Sequence, residues 1–493
     1  MERVLPPSRS LPLFGASATR AVERAASAAL PPHALMRKAG LAVARLALAI
    51  APHARQVLVF AGPGNNGGDG FDAAIHLRAA GKDVAIVFVG DEAKLPADAR
   101  DAHDRARAAG LNIGTDATGT TAPDVVIDAL LGVGANRAPS PALAACIGRI
   151  NGWSCPVLAV DVPSGLDADT GQALGDDAVR ATHTLSLLTL KPGLFTGHGR
   201  DHAGDVWFDA LDVSSDVPPD ALLNGADLAQ ARSRLHGNHK GSFGDVAVIG
   251  GASSMAGAAL LAARAALAAG AGRVYASPLA DDAASLDACR PELMFRRQWW
   301  QAADEVLAQT TVVCGCGGGD AVRAVLPRVL SASGRLVLDA DALNAIAQDS
   351  ALQALLRSRA GRGRGTVITP HPLEAARLLG VSVAEVQQDR LHAARDLAQR
   401  FGCVALLKGS GTVIAAQAQP PRINPTGNAS LATAGTGDVL AGLIGGLWAQ
   451  AESANPQDIA SAAVYRHGRA ADLHHAGPLL ANDLIDALQR QPA

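Results

Sequence analysis

The apolar run Gln56–Ala61 (Q-V-L-V-F-A) leads directly into Gly62-Pro63-Gly64-Asn65-Asn66-Gly67-Gly68-Asp69-Gly70. Five apolar residues after Gln56, closed by Gly62, read as a buried parallel strand. The polar, glycine-rich stretch after it reads as a long βα loop, with a helix expected from about Phe71 to Ala80. Strands that return through helices make βαβ units, and right-handed crossovers then favour a parallel sheet with helices on both faces. This is the fold-determining feature of the chain, and it recurs.

Before that strand, Arg20–Ile50 reads as Ala-rich helix broken at Pro31-Pro32. After it, Val84–Val89, Val125–Ile127 and Val157–Val160 read as further strands. Around Ser214–Asp220 the pattern lapses into turn formers and two prolines. It then resumes: strand Asp245–Ile249, helix Ala256–Ala269, and strands at Val312-Val313, Leu336–Leu338, Val367-Ile368 and Val404–Leu407. A glycine loop and helix follow at Gly435–Trp448. The fold class is therefore α/β in two domains: 1–213, a Rossmann-like α/β/α sandwich, and 224–493, a second α/β domain, with a linker at 214–223. A length of 493 residues accommodates two large α/β domains.

Composition narrows the function classes. Lys plus Arg is 43 and Asp plus Glu is 46, so no chain-wide basic field draws in nucleic acid or anionic lipid. Aromatics at 3% argue against base-stacking platforms. The six cysteines contain no Cys-x-x-Cys pair, which fits a reducing compartment rather than a disulfide scaffold. Residues 1–14 lack an apolar signal-peptide core, and the apolar stretch Met255–Gly270 is too short to span a bilayer. The expectation is a cytoplasmic protein with no nucleic-acid or membrane partner.

In open α/β sheets, ligands bind outside the carboxyl ends of the strands. At the first such end, Asn65 and Asn66 offer amides to a ligand and carbonyl oxygens to a cation, and a helix start favours anions. Asp128 and Asp161 each close a strand. Either carboxylate suits acid/base work, or a cation held together with hydroxyls such as Ser164. In the second half, Asp339-Ala340-Asp341, Thr369-Pro370-His371-Pro372 and Lys408-Gly409-Ser410-Gly411-Thr412 occupy the same positions. Most informative is Ala434-Gly435-Thr436-Gly437-Asp438 at the mouth of an apolar helix. Its small residues leave backbone N–H groups open to a phosphate, and Asp438 beside them suits a general base acting on a substrate hydroxyl. Cys314 and Cys316 read as buried thiols, with no further metal ligand near them in sequence.

These motifs, in this order, resemble the bifunctional NAD(P)H-hydrate repair enzymes: an epimerase domain followed by an ADP- or ATP-dependent dehydratase domain of ribokinase-like fold. The resemblance rests on Asn65–Gly70, Val160–Gly165, Thr369–Pro372 and Gly435–Asp438. It implies that Asn65, Asn66, Gly67, Gly68 and Asp69 contact hydrated NADH or NADPH, with Gly132, Val133, Gly134, Ala135, Asn136 and Arg137 lining the substrate. Asp161 would be catalytic there, and Asn66, Asp128 and Ser164 would hold potassium. In the second domain Ala258, Gly317, His371 and Asp438 would hold the S-hydrate, with Asp438 catalytic. Lys408, Gly409, Ser410, Gly411, Thr412 and Gly437 would hold ADP or ATP with Mg²⁺, and a homo-oligomer is expected. The sequence departs from the pattern at Gly315-Cys316-Gly317-Gly318-Gly319, where the family often has Gly-Pro-Gly-Leu-Gly. It departs again at Ala434–Asp438, often Gly-Gly-Met-Gly-Asp, and at Arg37, where an acid is common.

Two other readings compete. A small-molecule kinase of ribokinase-like fold would leave a stable phosphoester, and the Asn-Asn-Gly-Gly-Asp domain fused in front speaks against it. A non-catalytic binding module would have no need of Asp161 and Asn66 at strand ends.

Overall fold

The computed structural model describes residues 1–116, 122–229, 234–451, 453–474 and 477–490. They form two compact units: Met1–Leu5 with Pro12–Ala221, and Pro6–Leu11 with Leu222–Ala493. Residues 6–11 join the second unit through Ser10, whose N and Oγ donate to Asp227, and through Pro7, whose carbonyl accepts from the Tyr465 hydroxyl.

In the first unit, strand Gln56–Ala61 lies between Asp83–Phe88 and Val125–Ala129. The sheet continues on one side through Asn112–Gly114 and on the other through Val157–Val160, His183–Leu187 and Asp205–Asp209, all parallel. Glu2–Arg3 adds an antiparallel edge. The chain leaves Gln56–Ala61 toward Asp83–Phe88 and returns on its other side, so the order reverses between Gln56–Ala61 and Val125–Ala129. A crevice opens at such a switch point. Helices Ala34–Ile50 and Asn65–Ala79 bury apolar faces on one side of this sheet, and Pro141–Asn151 on the other.

The second unit repeats the plan. Strand Asp245–Gly250 lies between Arg273–Pro278 and Thr311–Cys314, followed in parallel by Arg335–Leu338, Gly365–Ile368 and Val404–Leu407. Antiparallel Val413–Ala415 and Arg422–Ile423 extend the sheet. Helices Ala256–Ala268 and Thr436–Gln450 pack into one core with it. Small residues make this possible: a Cβ on Gly442 would lie 1.9 Å from the Ala262 carbonyl oxygen, so the two helix backbones meet.

Three expectations change. The helix expected from Phe71 starts at Asn65, so Asn65–Gly70 is its first turn and a half rather than a loop. The cause is steric. A Cβ on Gly67 would lie 2.0 Å from the Gly62 carbonyl oxygen, and one on Gly70 would lie 2.7 Å from the Ala129 Cβ, so these glycines let the helix start directly on the strand. Strands His183–Leu187, Asp205–Asp209 and Arg273–Pro278 were not legible, being short and interrupted by polar residues. Ala221–Leu223, inside the expected linker, is a strand paired to Arg422–Ile423.

Candidate active sites

The carboxyl ends of the first unit's strands line a cleft of about 910 Å³. Asn65, Asn66 and Asp69 reach it from the helix start, Gly132–Arg137 from the loop after Val125–Ala129, and Asp161 from the end of Val157–Val160. Gly67 and Gly68 are buried behind them in the helix turn. Asp161 has φ 69°, a left-handed conformation that costs a non-glycine residue about 1–3 kcal/mol.

What holds Asp161 there was not visible in the sequence. The fully buried Lys191 ammonium pairs with Asp161 Oδ1 and donates to the carbonyls of Leu187 (2.7 Å) and Thr189 (2.9 Å). All three N–H bonds of the lysine are thereby committed. Asp161 Oδ1 also accepts from the Leu187 amide at 3.2 Å. Thirty residues separate Asp161 from Lys191, and only the strand His183–Leu187 brings them together.

Three more carboxyls line the cleft, Glu23, Asp69 and Asp98. Burial and then the charge of Asp161 raise Glu23 and Asp69 above the ordinary carboxylate range; for Asp69 the further acids Asp72 and Glu23 add to it. Glu23, on helix Ala16–Ala29, lay in a stretch read only as helical.

Below the cleft, Asp128 is fully buried. It accepts from Ser164 Oγ (2.6 Å), Ser164 N (2.8 Å) and Leu130 N (3.3 Å), while burial still pushes it up to about 6. Ser164 Oγ in turn accepts from Leu131 N at 2.8 Å. A Cβ on Gly132 would lie 3.0 Å from Asn66 Oδ1, so Asn66 sits against this same turn. Its amide nitrogen is buried without a hydrogen-bond partner.

In the second unit, Asp438 stands in the first turn of Thr436–Gln450, behind Gly435 at φ 90°. First-turn amides of a helix have no intrahelical acceptor, so Gly437 and Asp438 present N–H groups at a positive helix end. Burial and then the charge of Asp339 push Asp438 up to about 6, against the Cys316 thiol and Lys408. Lys408 does not reach outward as a free cation. Its ammonium binds Asp339 Oδ1 at 2.7 Å, the same oxygen that accepts from Thr369 Oγ1 at 2.7 Å. A Cβ on Gly437 would lie 3.4 Å from that ammonium, which puts Gly437, Lys408, Asp339 and Asp438 in one place.

Gly317 and Ala258 also meet: a Cβ on Gly317 would lie 2.8 Å from that of Ala258. His371 begins helix Pro372–Leu379. Its Nδ1 accepts from Leu373 N (3.1 Å) and Glu374 N (3.4 Å), and its Nε2 lies 3.1 Å from Glu374 Oε1. Gly409–Thr412 turn between antiparallel strands, with φ 131° at Gly409 and 62° at Gly411. A buried Arg390 donates to the Leu407 and Lys408 carbonyls beneath that turn. Cys314 and Cys316 are fully buried, and among the described residues all six cysteines are free.

Two α/β sheets, each gathering an aspartate–lysine pair at the carboxyl ends of its strands, define a two-site α/β protein. Residues 246–490 match the family model for NAD(P)H-hydrate dehydratase, and residues 32–193 match that for the YjeF-related protein N-terminus. The bifunctional NAD(P)H-hydrate repair enzyme of Escherichia coli is 39% identical over 92% of this chain and 88% of its own. The ADP/ATP-dependent NAD(P)H-hydrate dehydratase of Bacillus subtilis, co-crystallised with ATP/Mg²⁺, is 32% identical over 53% of this chain and 94% of that one (TM-score 0.44). A ribokinase-like superfamily protein of Enterococcus faecalis is 26% identical over 54% and 93% (TM-score 0.45). The chain belongs to the bifunctional NAD(P)H-hydrate repair enzymes. Among the described residues, no helix is long and apolar enough to cross a membrane.

Proposed function

We propose that the two units divide the repair of hydrated NADH and NADPH, with the epimerase site within residues 1–213 and the dehydratase site within 224–493. The first interconverts the R and S 6-hydroxy forms, and the second dehydrates the S form at the expense of ADP or ATP.

In the first unit the cleft holds the hydrated nucleotide on Asn65–Asp69 and Gly132–Arg137. Asp161 gives a proton to the ring hydroxyl, which leaves as water. The neighbouring ring nitrogen stabilises the resulting cation, and water returns on either face with the proton going back to Asp161. Asp161 reacts in its protonated form; Lys191 pairs with the carboxylate that the transfer leaves and keeps it aimed until the proton returns. Asn66, Asp128 and Ser164 form a hard-oxygen donor set, and the unpartnered Asn66 amide leaves that side chain free to turn its oxygen to a cation. They fit potassium, which would order the loop and the substrate phosphate. Replacing K⁺ by a larger inert cation should then lower the first unit's thermal transition, by an amount that grows with [K⁺] as RT ln(1 + [K⁺]/Kd). Ser164→Ala should erase that increment; an increment that survives in Ser164→Ala would reject the site.

In the second unit Asp438 takes the proton of the S-form hydroxyl, which attacks the terminal phosphoryl group while the amides of Gly435–Gly437 stabilise the charge in transfer. Phosphate then leaves with the C–O bond as a ring proton departs, regenerating the reduced nucleotide with AMP (from ADP) or ADP (from ATP). Ala258, Gly317 and His371 hold the substrate, and the Lys408–Thr412 turn with Gly437 holds the adenine nucleotide. Mg²⁺ bound with the nucleotide would neutralise part of its phosphate charge. Cys316, Asp339 and Asp438 are the described cluster with metal-ligand spacing, but a thiol and an adjacent ammonium do not suit this oxygen-seeking ion. The metal is therefore assigned to the nucleotide and not to that cluster.

The observation that carries the reading is Asp161, lysine-paired and opening into one cleft with Asn65, Asn66 and Asp69. A mixed R/S NADH-hydrate pool with K⁺, Mg²⁺ and ADP tests it through reduced-nicotinamide absorbance. The whole pool should recover. Recovery that stops at the S fraction removes the first assignment, and none with either ADP or ATP removes the second.

A further inference from the structure

Cys316 lies where the strand Thr311–Cys314 turns toward the helix that carries Asp438. Gly315 at φ 120° makes the turn, and the Cys316 carbonyl accepts from Gly251 N at 3.0 Å. A Cβ on Gly250 would lie 2.3 Å from that carbonyl oxygen, so the backbones of Gly250 and Cys316 pack directly on each other. The side chain is fully buried. Its sulfur, an Asp438 oxygen and an Asp339 oxygen all lie within 4.8 Å of one another.

The charge on Asp438 is set by its neighbours. Asp339 and Asp341 repel its charge, and Lys408, which would balance it, is bonded to Asp339. Glu374 adds a further claim on Lys408. His467 contributes no charge at neutral pH: it is bonded to the Thr436 carbonyl, and burial lowers it to about 4. Among the described residues, that leaves the Cys316 thiol, within 4.8 Å of an Asp438 oxygen, as a neighbour placed to give Asp438 a hydrogen bond. Burial and the two aspartates raise the thiol far above its ordinary range, so it keeps its proton and acts as a donor.

We propose that Cys316 is a positioning residue for the dehydratase: its buried S–H donates to the Asp438 carboxylate and holds it as the base for the substrate hydroxyl. The proposal rests on Asp438 being that base. Removing the donor leaves the carboxylate with its burial and its acidic neighbours, so it should protonate at higher pH.

The test is the pH dependence of single-turnover dehydration of the S-hydrate with ADP and Mg²⁺, using full-length wild type, Cys316→Ala, Cys316→Ser and Asp438→Asn. Cys316→Ala should move the acidic limb up by roughly half a unit with the KM for ADP unchanged, the size expected for loss of one weak hydrogen bond. Cys316→Ser, which restores an O–H donor, should return the limb to the wild-type position. An unmoved limb in Cys316→Ala, or an equal loss of rate at every pH in both variants, makes Cys316 mere packing and overturns the proposal. If the alanine variant does not fold, Cys316→Val, which fills the site without a donor, takes its place: a limb moved up supports the thiol and an unmoved limb overturns it. Asp438→Asn separates the two readings. A dead Asp438→Asn with an unmoved Cys316→Ala limb sinks the thiol alone; an active Asp438→Asn sinks the base assignment with it.

Discussion

The two active centres use the same parts in opposite arrangements. Each has an aspartate at the carboxyl edge of a parallel sheet and a lysine nearby, fully buried in the first unit and partly exposed in the second. In the first unit the lysine pairs with the proposed catalytic aspartate itself, Asp161. In the second it pairs with a bystander, Asp339, and Asp438 is left to burial, a repelling acid and a thiol. The contrast matches the chemistry. A group that hands a proton to a leaving hydroxyl and takes it back must stay aimed through a full cycle. A base that collects one proton from a weakly acidic alcohol gains from a raised proton affinity.

The largest effect separates the centres outright. Asp161→Asn should cost epimerisation about 10²–10⁴-fold and leave dehydration of pure S-hydrate untouched, and Asp438→Asn should do the reverse. Both rates are read from one absorbance assay fed with R- or S-hydrate. If either variant loses both activities, the sites do not work independently and the comparison fails.

Next in size is the difference between the lysines. Lys191→Met leaves Asp161 as an uncompensated buried charge at 8% exposure, held in a left-handed conformation by a partner that is gone. Breaking a buried pair in this way costs about 3–5 kcal/mol. Calorimetry should show the first unit's transition falling, with epimerase activity lost. Lys408→Met should cost less, because Asp339 keeps its bond from Thr369 Oγ1 and Lys408 is itself partly exposed. Equal losses would mean that the two pairings do the same job.

These differences mark where the sequence was legible. Gln56–Ala61, Val157–Val160 and Val404–Leu407 are strands over the residues read, because continuous apolar runs between glycine-rich turns have few other uses. The carboxylates at strand ends stood out for the same reason. Lys191 did not: it lies in Leu187–Leu194, where nothing in the local pattern distinguishes a buried ammonium from a surface one. Its burial follows from tertiary carbonyls at Leu187 and Thr189. Cys316 was readable as a buried thiol, but its neighbour Asp438 is 122 positions away, and only the packing of Thr436–Gln450 on the sheet joins them. Asn65–Gly70 was misplaced as loop because glycines ordinarily break helices. Here they are required, since no larger side chain lets the helix begin against Gly62 and Ala129.

The smallest of the expected effects concerns pH. Asp438 is raised to about 6, and as the proposed base it must be ionised to act. Dehydration should therefore be flat above pH 7 and fall about tenfold for each unit below 6, as the ionised fraction does. The same raised value has the opposite consequence for stability. Between its ordinary range near 3.8 and about 6, the folded state binds the proton more tightly than the unfolded chain does. Stability contributed by this group is thus present at low pH and is lost as pH rises through that window. The second unit should be active where Asp438 destabilises it and quiet where Asp438 does not. Asp438→Asn should flatten that part of the stability curve while abolishing the rate. A dehydration profile with no acidic limb near 6, or a limb that persists in the residual rate of Asp438→Asn, would assign the titrating base to another group.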